Sequence, residues 1–276
     1  MRAFKRVTSD FGYNSAIRMN EPIEPIIDSV PVAKAPTPWG PWASLGLALV
    51  VLVCTLVIQL GVAIGFAAIR AAGRPHFDYG KAVAALASNG LYLSVVECLT
   101  LPVCGFLLFR LASLRRIAPQ EYLALVSVPW PTIALWTGIA LVFNISSDVV
   151  TFLLHRPVVP EFMRSVYATA ESIPLLWLAV VLIGPFFEEL LFRGFLFRGL
   201  AGAKTGVPGA IVITSLIWAS LHAQYDFYGI AQVFVMGLLL GYVRARTGSL
   251  YTTLAMHAMA NAQAILEAAY VVKHRL

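Results

Sequence analysis

Seven stretches of the chain are apolar on every face: 43–69, 87–109, 131–154, 174–198, 207–223, 227–243 and 250–272. They show neither the period-two alternation of a half-buried strand nor the single stripe of a surface helix. Several reach the roughly 20 residues that a helix needs to cross a hydrocarbon core. The pattern predicts an all-α fold, a polytopic transmembrane bundle of seven helices. An eighth helix forms if the 157–172 segment, or part of the N-terminal tail, lies in the membrane interface. An outer-membrane barrel would need short strands that alternate polar and apolar residues, and none is present. No internal repeat is visible.

Residues 1–42 break the pattern. They hold Pro22, Pro25, Pro31, Pro36, Pro38 and Pro41 with charges of both signs, which reads as a mobile tail. Its first ten residues lack the apolar core of a cleavable signal peptide. The chain then divides into an N-terminal set of membrane helices, 43–172, and a chemistry-bearing core, 173–276.

Composition agrees. Of 276 residues, 59% are hydrophobic and 12% charged, with mean hydropathy +0.79. The net charge of +6 sits between apolar spans, so it reads as a topology signal and a contact for anionic lipid, not as a nucleic-acid surface. With the N-terminus inside, twelve Lys and Arg, Arg244 among them, fall on the cytoplasmic side and seven on the other. This predicts a cytoplasmic tail on a multi-pass protein of the cell membrane. Short loops and the lack of sorting signals look prokaryotic. Cys54, Cys98 and Cys104 show no metal-binding spacing and read as apolar fillers. Trp42, Trp130, Trp136 and Trp177 fall near span ends, as interface anchors do.

The chemistry lies in polar residues that an apolar span should not tolerate. Glu188 and Glu189 end a long apolar run, and a charge at the bilayer centre costs about 2.5–3.5 kcal/mol on insertion scales. Arg193 lies four residues after Glu189, on the same helical face, so the two are expected to pair. Glu188 is then left without an intrahelical partner and is the candidate general base. His222 is as far beyond the Lys204 turn as Glu188 is before it. A helical hairpin puts both at a depth of about 25 Å, so they should face each other. His257, about 14 Å from the Gly248 turn, is expected to be shallower. His257 and Asn261 are four apart, and both can donate hydrogen bonds to an oxyanion. Glu97, Asn144, Asp148 and Glu267 are further polar residues in spans, candidates for a water path, a substrate groove or helix–helix hydrogen bonds.

These residues resemble the motifs of the CPBP family, the CAAX-protease and bacteriocin-processing (Abi) intramembrane proteases. Glu188-Glu189-Leu-Leu-Phe-Arg193 looks like its EExxxR motif. Trp218-Ala-Ser-Leu-His222 is similar to FxxxH, with Trp for Phe. His257 and Asn261 match its third motif. The likeness covers about 173–265. It implies a membrane-embedded endopeptidase in which Glu188 and His222 activate water and His257 and Asn261 bind the oxyanion, with Glu189 and Arg193 in support. Its substrate would be a peptide or protein at the lipid bilayer. A second view of the family is metal-dependent, with Glu188, His222 and His257 as ligands of a divalent ion such as zinc. The sequence has no HExxH motif, and a metal-free reaction without a cofactor is the preferred expectation. A non-catalytic scaffold or immunity-type binding protein is the alternative, followed by a transporter with a relay of Glu97, Asp148 and Glu188. Nothing in the sequence signals an oligomeric state.

Overall fold

The computed structural model describes residues 37–72, 76 and 78–275. The expected mobile tail lies, as far as residue 36, outside the described residues. Its last part is held. The Trp39 indole N–H donates to Leu111 O at 2.9 Å, and its backbone N–H to the Tyr122 hydroxyl at 3.2 Å. Arg115 grips Thr37 and covers the Trp39 ring.

Eight main helices follow: α1 Pro41–Ala71, α2 Gly90–Ser113, α3 Trp130–Leu153, α4 Glu161–Ala168, α5 Ile173–Ala201, α6 Gly206–Ser220, α7 Phe227–Thr247 and α8 Leu250–His274. Seven coincide with the apolar runs, and α4 is the extra helix expected within 157–172. The starts are set by local chemistry. Pro41 opens α1, where its missing N–H costs nothing. Asn89 caps α2 through Tyr92 N, and Asp226 caps α7 through Gly229 N. Gly248, at φ +69°, ends α7 in the left-handed conformation that glycine adopts without strain.

Five of these helices, α1, α2, α3, α5 and α7, are long and apolar enough to cross a membrane. The seven expected spans therefore include two that do not qualify alone. Helix α6 is apolar but has 15 residues, and α8 is long but too polar. Helix α8 carries His257 and Asn261, and His222 lies two residues past the end of α6. The molecule is a helical membrane bundle. Its outward faces suit lipid: Leu135, Val142 and Phe152 of α3 are all at least 60% exposed.

Helix α5 lies at the centre and packs against α1, α2, α6 and α8. It is not uniformly wound. Leu178–Ile183 and Leu190–Leu196 take the wider i→i+5 π winding, flanking an α-helical turn, Gly184–Glu189, that carries both glutamates. Such wide turns are rare and concentrate at functional sites.

Candidate active site

The expected Glu189–Arg193 pair is present. Arg193 Nη1 donates to Glu189 Oε1 at 3.1 Å, and both side chains are fully buried. The same carboxylate oxygen accepts from His257 Nδ1, also at 3.1 Å. A carboxylate only accepts, so His257 carries a proton on Nδ1 and turns Nε2 toward Glu188, whose Oε2 lies 3.9 Å away. Glu189 thus orients His257 as a carboxylate orients the histidine of a catalytic triad.

Trp218 is the hub that motif spacing did not reveal. Its indole N–H donates to Glu188 Oε2 at 2.6 Å. Its ring lies 4.4 Å from the Arg193 guanidinium, in cation–π contact. It meets His222 and His257 edge-on, at centroid distances of 5.0 and 5.2 Å. Phenylalanine, the usual aromatic of the FxxxH pattern, could make the ring contacts but not the hydrogen bond. The sequence signal available was the Trp-for-Phe departure itself.

His222 Nδ1 lies 2.9 Å from Trp218 O. A carbonyl accepts, so Nδ1 donates and Nε2 is the free nitrogen. His222 also stacks on Tyr225. Burial pushes the Tyr225 hydroxyl up to about 12, so it stays a neutral O–H. Glu188 and His222 both line a cavity of about 140 Å³, and their own hydrogen bonds run to Trp218. An adjoining cavity of about 210 Å³ shares His222, Tyr225, His257 and Asn261 with the first and extends to Asp148 and Glu267. There Gln263 Nε2 donates to both carboxylates, at 2.6 and 2.9 Å.

His257 is not shallower than its partners, and the expectation fails for a definable reason. It assumed that the Lys204 and Gly248 turns lie at one level. Arg244 Nε donates to Arg193 O at 2.9 Å, which sets the end of α7 beside the middle of α5. Eleven residues separate Arg193 from Lys204, but four separate Arg244 from Gly248. The second turn is therefore deeper by about 10 Å, the depth His257 was missing. The turn is sealed by Ser249 Oγ donating to Val126 O and Leu250 N to Ala124 O. Arg244, counted among the cytoplasmic loop charges, is buried in this contact.

Asn261 also has a partner within the fold. Its Nδ2 donates to Val180 O at 2.8 Å. That carbonyl lacks a helical donor because of the π winding. Gly184 N–H goes to Ala179 O, and the residue next in register, Pro185, has no N–H. Asn261 fills the gap. Its second amide hydrogen and its carbonyl oxygen stay available on the cavity wall it lines. Among the described residues, no three His, Cys, Asp or Glu side chains converge closely enough to hold a metal ion. Glu188, His222 and His257 thus do not form a ready ligand set.

A buried carboxylate–histidine cluster thus lies inside a membrane bundle, and comparison with known proteins gives its class. Residues 170–263 match the family model "Type II CAAX prenyl endopeptidase Rce1-like". An uncharacterised 24.3 kDa protein of Escherichia coli is 32% identical over 187 residues, 64% of this chain and 81% of that protein. A Bacillus subtilis (strain 168) protein, the candidate membrane peptidase YdiL, is 28% identical over 101 residues, 37% of this chain and 40% of that one. No solved structure matches the chain. The chain belongs to the Rce1-like family, and it is a peptidase.

Proposed function

We propose that the protein cleaves peptide bonds of membrane-associated peptides or proteins with water activated by Glu188, without a metal or covalent intermediate. The observation that carries this reading is the division of labour between adjacent glutamates. Glu189 is consumed by Arg193 and His257, whereas Glu188 faces a cavity that also holds His222, His257 and Asn261.

In this reading, water sits between Glu188 and His222 Nε2. Glu188 takes its proton as the oxygen attacks the scissile carbonyl. His257, gripped through Nδ1 by Glu189, offers Nε2–H to the developing oxyanion when both ring nitrogens are protonated. The second N–H of Asn261 adds a donor. A well-aimed oxyanion donor is worth about 2.7–4 kcal/mol in the transition state. Trp218 holds the Glu188 carboxylate in one rotamer, so little reorganisation accompanies proton transfer. The N-terminus is assigned to the cytoplasmic side of the cell membrane by the charge distribution of the loops.

The test is a peptide library incubated with purified protein, with and without chelator, analysed by mass spectrometry. Cleavage that persists with chelator and is lost in Glu188→Ala at normal folded yield supports the reading. Cleavage abolished by chelator and restored by zinc refutes its metal-free form, and equal cleavage by Glu188→Ala refutes the role of Glu188.

A further inference from the structure

We infer that Glu97, on α2, is the general acid of this reaction and protonates the departing amine; the inference rests on the peptidase reading above. Glu97 lies outside the residues that match the family model. Its side chain lines the same cavity as Glu188, His222, His257 and Asn261.

The approach of α2 to α5 is built around this side chain. Glu97 Oε2 would lie 3.2 Å from a Cβ placed on Gly184, tighter than ordinary contact. Glycine at 184 therefore makes the room that the carboxyl occupies. Glu188 is one α-helical turn further along, on the same face, where Cβ atoms are about 5–6 Å apart. The two carboxyl groups thus border one small space from two helices.

Their surroundings differ in a way that assigns their states. Glu188 receives the Trp218 indole N–H and faces His257, both of which stabilise a negative charge. Glu97 has no hydrogen-bond donor among the described residues. Two carboxylates that border one cavity repel when both are charged, which favours one proton between them. We place that proton on Glu97, the member without a hydrogen-bond donor among the described residues. A base and an acid set apart in this way are what amide hydrolysis needs, because an amine leaves poorly as its anion.

The steps balance. Water loses a proton to Glu188 as its oxygen bonds to the carbonyl carbon, and the carbonyl oxygen becomes the oxyanion. On collapse the C=O bond re-forms and the C–N bond breaks. The nitrogen takes the proton of Glu97, leaving a carboxylate. The proton on Glu188 returns to Glu97 through cavity water, and both groups regain their starting states.

The test compares Glu97→Gln with wild type on one cleaved peptide and on its depsipeptide, in which an ester replaces the scissile amide. An alkoxide leaves without prior protonation far more readily than an amine. Glu97→Gln should slow amide cleavage at least about a hundredfold, while ester cleavage stays within about fivefold of wild type. Glu188→Gln should lose both. The amide-to-ester ratio is taken on a single preparation, so a lower folded yield does not alter it. Equal slowing of both bonds, or undiminished amide cleavage, overturns the role of Glu97 and leaves Glu188 standing. A wild type that cleaves neither bond overturns the peptidase reading and this inference with it.

Discussion

The indole N–H of Trp218 donates to Glu188 Oε2 at 2.6 Å, while the face of the same ring covers the guanidinium of Arg193. One side chain thus couples the carboxylate facing the cavity to the buried ion pair behind it. The two adjacent glutamates have different surroundings.

Trp218→Phe separates these functions. The ring still covers Arg193, but Glu188 loses a hydrogen bond of the charged kind, worth about 1.5–3 kcal/mol. Folded yield should hold, and kcat/KM should fall about tenfold or more. Trp218→Leu, which also removes the cation–π contact, should lower yield. Steady-state kinetics beside size-exclusion profiles in detergent check both; a fully active Trp218→Phe enzyme would mean the bond is incidental.

Arg193→Leu leaves Glu189 charged, with the His257 N–H but no guanidinium, where neither side chain of the original pair meets solvent. Removing one partner of a buried pair costs about 3–5 kcal/mol, so folded yield should drop sharply. Adding Glu189→Gln should recover yield but not activity, because His257 then lacks its orienting carboxylate. Fluorescence-detected chromatography of the two variants, with activity per folded molecule, gives the answer. Recovered activity in the double variant contradicts the role assigned to Glu189.

Asn261→Ala should cost stability as well as turnover. It strips Val180 O of its donor, and a lost hydrogen bond of this kind costs about 0.5–1.5 kcal/mol. Pro185→Ala supplies the missing N–H, so the stability loss should shrink in the double variant. A thermal-unfolding double-mutant cycle should show coupling of at least about 0.5 kcal/mol. Strict additivity would mean that Asn261 does not hold the π turn.

How much of this was legible in the sequence depends on distance along the chain. The seven helices of the apolar runs follow from that pattern, and the Glu189–Arg193 pair from a spacing of four. The shared cavity of Glu188 and His222 follows from the symmetry of one hairpin. Relations that cross hairpins were not legible. The Gly248 turn is deeper because Arg244 docks on Arg193 O, a contact without local periodicity. The link from Asn261 to Val180 O arises from π winding, which leaves the hydrophobic pattern unchanged. Trp218 read as an aromatic exchange because a motif records ring shape and not the bond its nitrogen makes. Glu97 stood out as a charge in an apolar span, but nothing in the sequence told which helix it faces.

Activation of water by Glu188 is tested most directly by the single-turnover rate of one identified peptide with wild type and Glu188→Gln, matched for folded protein and unfolding temperature. Loss of a base that acts through oriented water predicts a rate at least about a hundredfold lower for the variant, with the unfolding temperature unchanged. A Glu188→Gln protein that cleaves within a few-fold of wild type contradicts the account.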